Sequence, residues 1–67
     1  MNSQMLKAQM ILSGITPRNL CEKLGISRST YYKKLRGASE FTQSEIREIK
    51  HILSLDDEHV CSIFFAL

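Results

Sequence analysis

The sequence predicts an all-α fold of five short helices without a strand, and three observations predict it. Apolar residues recur three and four positions apart along successive segments, the spacing of one helix face. Thr16, Ser27, Thr42 and Asp56, side chains that suit helix starts, each stand just ahead of such a segment. Gly14, Gly25 and Gly37 stand where segments should end. With 67 residues the chain is expected to form one domain, 1–67, with one core. A domain of this size buries only roughly 60% of its unfolded surface.

The first helix is expected over about Ser3 to Ser13, with Leu6, Met10 and either Ile11 or Leu12 as its apolar stripe. Gly14 ends it in a left-handed turn and Ile15 plugs the corner. The second runs from the cap Thr16 to Leu24. Pro17 suits its first position, where the amide hydrogen it lacks would have no partner. Leu20, Cys21 and Leu24 form its inward face, with Cys21 the small hydrophobe that lets helices approach.

Ile26 fills the next turn, and the third helix extends from the cap Ser27 to about Arg36, with Tyr31 and Leu35 facing inward one turn apart. Thr42 and Glu45 have capping-box spacing at the fourth helix, and Phe41 and Ile46 have hydrophobic-staple spacing. Its apolar face is Ile46, Ile49, Ile52 and Leu53, while Glu45, Arg47, Glu48 and Lys50 are expected to face water. Asp56 repeats the cap for a fifth helix, with Leu55 and Val60 as staple partners. Asp57 and Glu58 there meet the positive end of the helix.

A formal net charge of +2 conceals a strong asymmetry. Residues 1–37 carry seven basic side chains against Glu22, a net of +6, and residues 38–67 have a net of −4. One end of such a molecule attracts a polyanion and the other repels it.

The segment from Thr16 to Gly37, TPRNLCEKLGISRSTYYKKLRG, then has the layout of a helix-turn-helix, whose second helix enters the major groove of DNA. At the helical repeat, Arg28, Ser29, Tyr32, Lys33 and Arg36 share the face opposite Tyr31 and Leu35. Arg28 can bond bidentately to guanine, Ser29 and Lys33 can reach base edges, and Tyr32 can pack on a thymine methyl or bond a phosphate. Arg18, Lys34 and Arg36 are assigned to the phosphate backbone, where contacts set register without reading sequence.

Other chemistries find little support. No nucleophilic triad, glycine-rich phosphate cradle or HExxH motif is present, so no enzyme, cofactor or small-molecule ligand is expected. His59 and Cys61 are two apart, which on one helix points them away from each other, and no metal site is expected. Cys21 and Cys61 lack metal or disulfide-framework spacing, and no run approaches the roughly 20 apolar residues of a membrane span. A reducing, cytoplasmic setting is expected.

One recognition helix touches few base pairs, whereas two related by symmetry reach half-sites about 34 Å apart. A homodimer is therefore expected. The C-terminal helices, 42–65, support the fold, and the last of them carries more apolar groups than an inner stripe needs. Phe65 and Leu67, with Ile63, are assigned to a self-complementary patch.

The segment resembles the helix-turn-helix of phage Cro and repressor proteins. The longer string GISRSTYYKKLRGASEFTQSEI and the closing Ile63–Phe65 resemble small regulators of Gram-positive phages and prophages. The resemblance implies a five-helix, lambda-repressor-like domain that binds double-stranded operator DNA as a dimer. By that motif Arg28, Ser29 and Lys33 match base-reading positions and Arg36 a position near the backbone. Pro17 stands where glutamine is common, Cys21 where alanine is usual, and Lys34 where an apolar residue is frequent. Lys34 is expected to bury its stem and send its ammonium toward DNA. The alternative reading is a protein-interaction module of antirepressor or antitoxin type on the same fold.

Overall fold

Residues 1–65, described by a computed structural model, form five α-helices: α1 (Ser3–Ser13), α2 (Pro17–Leu24), α3 (Arg28–Leu35), α4 (Gln43–Ile52) and α5 (Asp57–Phe64). No strand occurs among the described residues. Every helix starts on a side-chain oxygen that accepts a backbone amide otherwise left unpaired. Asn2 caps α1 through the Met5 amide, and Ser27 caps α3 through that of Thr30, both at 3.1 Å. Thr42 and Glu45 close the expected capping box on α4, at 3.1 and 2.8 Å. Thr16 and Asn19 form a second box on α2.

The exits also follow local chemistry. Gly14 and Gly25 have φ of +69° and +70°, a left-handed conformation that an L side chain adopts only under strain. Their amides return to the last carbonyls of α1 and α2, so each helix ends where the glycine stands. The third helix ends one residue earlier than expected, with Arg36 as its C-cap.

One cluster forms the core, from Leu6 and Met10 on α1, Leu20 and Cys21 on α2, Tyr31 on α3, Ile49 and Leu53 near α4, and Val60 and Ile63 on α5. Phe41 and Leu55, the residues ahead of the α4 and α5 caps, are buried there with it. α2 packs on α3 and α4, and α5 on α1 and α4. The Asn2 amide donates to the Ile63 carbonyl at 2.6 Å and draws the first residues onto α5.

Three expectations are corrected. Ile11 and Leu12 are 79% and 78% exposed, and the inward stripe of α1 is completed by the half-buried Met5. Glu45 does not face water, because its side chain is only 15% exposed beside Lys34. Ile63 is fully buried, so its side chain belongs to the core and supplies no surface for a second copy.

Candidate nucleic-acid interface

The placement of α3 begins with Tyr31. Its ring is 1% exposed, and its hydroxyl donates to the Met10 sulfur at 3.4 Å, pinning the middle of the helix to α1. Burial, with the neighbouring Cys21 and Tyr32, pushes the Tyr31 phenol up to about 12, so the hydroxyl keeps its proton at neutral pH. With Tyr31 facing in, the helical repeat turns Ser29, Tyr32, Lys33 and Arg36 out; Arg28 lies closer to the line of Leu35, in the first turn, and all five are exposed.

None of Arg28, Lys33 and Arg36 has an acidic partner among the described residues. Their charge is uncompensated at short range. Tyr32 lies among them, its ring 5.2 Å from that of Tyr31 in an edge-on arrangement and 44% exposed. The eight-residue helix is about 12 Å long, and an α-helix with its side chains, about 10–12 Å across, is a size the major groove admits.

The residues assigned to the phosphate backbone divide. Arg36 remains on the exposed face. Arg18 projects from the first turn of α2, with its Nε 3.3 Å from Glu22 Oε1 and the two side chains 76% and 64% exposed. An exposed pair of that kind contributes only about 0–1 kcal/mol, so Arg18 can exchange its partner cheaply.

Lys34 is not available to a phosphate. Its side chain is 10% exposed, and its ammonium donates to Glu45 Oε1 at 2.7 Å and to the Glu40 carbonyl at 3.2 Å. The same nitrogen lies 5.5 Å from the centre of the Phe41 ring. The reason lies in the helix repeat: Lys34 is adjacent to Leu35 and three residues from Tyr31, on the flank that closes against the start of α4. Burial alone would raise the Glu45 carboxyl, but the bonds from Lys34 and Thr42 outweigh it and hold it below the ordinary value.

The apolar patch beside Phe65, which reaches the end of α3 at Lys34 and Gly37, is wider than expected and differently composed. Phe65 is 59% exposed and Met1 45%, and they flank a groove of about 270 Å³ whose other walls include Phe41, Ile46 and Phe64. Phe41 and Phe64 meet edge to face at 5.8 Å. Leu67, also assigned to this patch, lies outside the described residues. Sequence reasoning missed Met1 and Ile46 here. Ile46 carried a signal as the staple partner of Phe41, whereas Met1 is brought in by the Asn2–Ile63 bond, which no local pattern announces.

Both cysteines are unbridged, Cys21 buried and Cys61 exposed. Burial pushes the Cys21 thiol up, opposed in part by the charge of Arg28, so it stays a protonated packing group. The Asp56 carboxylate accepts the His59 amide at 2.8 Å and faces its ring Nδ1 at 2.7 Å, and these contacts lower the Asp56 pKa. Among the described residues, no three His, Cys, Asp or Glu side chains come together as metal ligands. No helix among them is long and apolar enough to cross a membrane.

Comparison with protein-family models, with curated proteins and with solved structures finds no match to this chain.

Proposed function

We propose that this chain is a sequence-specific double-stranded DNA-binding regulator in which α2, the Gly25 turn and α3 act as a helix-turn-helix and α3 enters the major groove. The observation that carries the reading is the exposed face of α3, where Arg28, Lys33 and Arg36 lack acidic partners among the described residues and Ser29 and Tyr32 are exposed with them. Cations held on a rigid helix without internal partners give up no ion pair when they meet phosphates and guanine edges. In this reading Arg28, Ser29, Tyr32 and Lys33 read bases, and Arg18 and Arg36 hold the backbone. The chain works in the cytoplasm as a homodimer of the Cro or repressor kind and blocks transcription by occupying its operator.

The test is selection of random duplexes on the purified protein at a stated salt concentration. A recovered motif with two symmetric half-sites about 34 Å apart supports the reading. Equal, weak binding to every duplex refutes it. The dimer part has its own test in Phe65→Asp, which places a charge in the patch. Sedimentation should show the dimer lost while helicity is unchanged, and an unaltered association state removes Phe65 from the interface.

A second reading, a protein-interaction module, is favoured by the exposure of Ile11 and Leu12 and by an apolar groove of about 300 Å³ that Ile11 shares with Lys7, Ile15, Tyr32 and Leu35. That module would keep its function after Arg28 and Lys33 are neutralised, whereas a DNA-reading protein would not.

A further inference from the structure

The rigidity of α3 raises a question of leverage. Its backbone packs on α2, and Tyr31 pins its middle to α1. Arg28 and Arg36 stand near opposite ends, about 12 Å apart along the axis, so a tilt of only about 5° about Tyr31 displaces a helix end by a sizeable fraction of an ångström. Bidentate contacts tolerate errors of only about 0.5 Å. Leu35 packs on the core one turn beyond Tyr31 and limits the tilt, and a polar contact at the same end of the helix can hold it further.

Lys34 occupies the place where this is done. Its ammonium has three donor hydrogens, and the structure meets it with the Glu45 carboxylate, the Glu40 carbonyl and the face of Phe41. Glu45 Oε1 also accepts the Thr42 amide at 2.8 Å, so the oxygen that holds Lys34 is the one that caps α4. The last turn of α3 is thereby joined to the first turn of α4 through two side chains, both largely buried. The joint also lies beside the Phe65 groove, since Lys34, Glu40 and Phe41 contribute to its wall.

We propose that Lys34 is a positioning residue: through Glu45, Glu40 and Phe41 it fixes the tilt of α3 and so determines sequence discrimination by the outward face, without touching DNA itself. The inference rests on the DNA-binding reading above and adds to it a residue that acts from the inside of the helix. A buried pair of this kind is weak as a source of stability, because desolvation offsets much of its attraction, and its geometric specificity is what remains.

The test compares the wild type with Lys34→Met, Lys34→Arg and Glu45→Gln. Each is measured on the selected duplex and on random-sequence duplex over a salt series, and hydrogen exchange at residues 33–37 is followed in the free protein. Lys34→Met keeps the length and apolar stem, and it should lower affinity for the selected duplex about tenfold while leaving random-duplex affinity and the salt slope unchanged. Exchange at the end of α3 should quicken. Lys34→Arg should recover most of the discrimination, and Glu45→Gln, which keeps an acceptor for the Thr42 amide, should lose part of it even if Lys34→Met does not fold.

Equal losses on both duplexes with a salt slope reduced by about 1 would make Lys34 a phosphate contact and overturn the inference. So would discrimination that survives in folded Lys34→Met and in Glu45→Gln. If the wild type itself shows no preference among duplexes, the DNA-binding reading fails first. A wild type that discriminates, with variants that discriminate equally well, defeats the positioning role alone.

Discussion

Lys33 and Lys34 are neighbours in the chain and opposites in the structure. Lys33 stands on the outward face of α3 with no acidic partner among the described residues, while Lys34 is folded against α4 with two hydrogen bonds and the Phe41 ring around its ammonium. Identical side chains one residue apart are left exposed in one case and joined to the scaffold in the other. The difference is 100° of helix rotation. Net charge is thus a poor guide to an interface, because only the cations left uncompensated at the surface are available to a polyanion.

The two tyrosines repeat the lesson, and they are where the comparison breaks most sharply. Tyr31→Ala removes a fully buried ring and its bond to Met10, and it should cost about 3–5 kcal/mol in a urea titration, enough to unfold much of the population. Tyr32→Ala, on the exposed side, should cost less than about 1 kcal/mol of stability. Similar losses at both positions would mean that the inward and outward faces of α3 have been misassigned.

Next in size is Arg28→Ala, which should lose about 1–3 kcal/mol on the selected duplex and little on random DNA. A uniform loss would transfer Arg28 from base reading to the backbone.

The inner face has a pH signature of its own. Glu45 is held below its ordinary value of 4.5 in the folded chain, so its ion pair contributes stability that is complete above that pH and is lost as pH falls through the folded value. Acid titration of stability should show this loss in the wild type and a smaller one in Glu45→Gln. What persists should include the part due to Asp56, which His59 also holds low. Identical acid profiles for wild type and Glu45→Gln would show that the Lys34 pair is not formed in solution.

The smallest expected effect belongs to the outer face. Arg36→Ala should weaken binding to all duplexes alike and lower the salt slope by about 1, measured as affinity against salt concentration. An unchanged slope would remove Arg36 from the phosphate contacts.

Much of the architecture was legible because it is local. Thr16, Ser27, Thr42 and Asp56 cap the helices they were expected to cap, and Gly14 and Gly25 end theirs, since caps and left-handed turns are decided within four or five residues. The outward placement of Ser29, Tyr32, Lys33 and Arg36 followed from the period of a single helix once Tyr31 was taken as core, whereas Arg28, in line with Leu35, is exposed at the start of the helix. Two of the errors arose from contacts between distant segments. Lys34 and Glu45 are eleven residues apart and each looks solvated on its own helix. Ile63 was one of several apolar residues on α5, and only its packing in the shared core shows it to be interior. Ile11 and Leu12 continue an apolar run in the chain but leave the buried stripe because α1 turns them outward near its end.

The order of residues therefore determined by itself the positions of the helices, their caps and most of what turns inward on each, because hydrogen bonding at helix ends and the 3.6-residue repeat act over one or two turns. Tertiary packing alone decided which polar and apolar side chains remain at the surface. Burial and ion pairing depend on what another helix brings near, and the approach of α4 to the end of α3 converted a cation that looked ready for DNA into part of the frame.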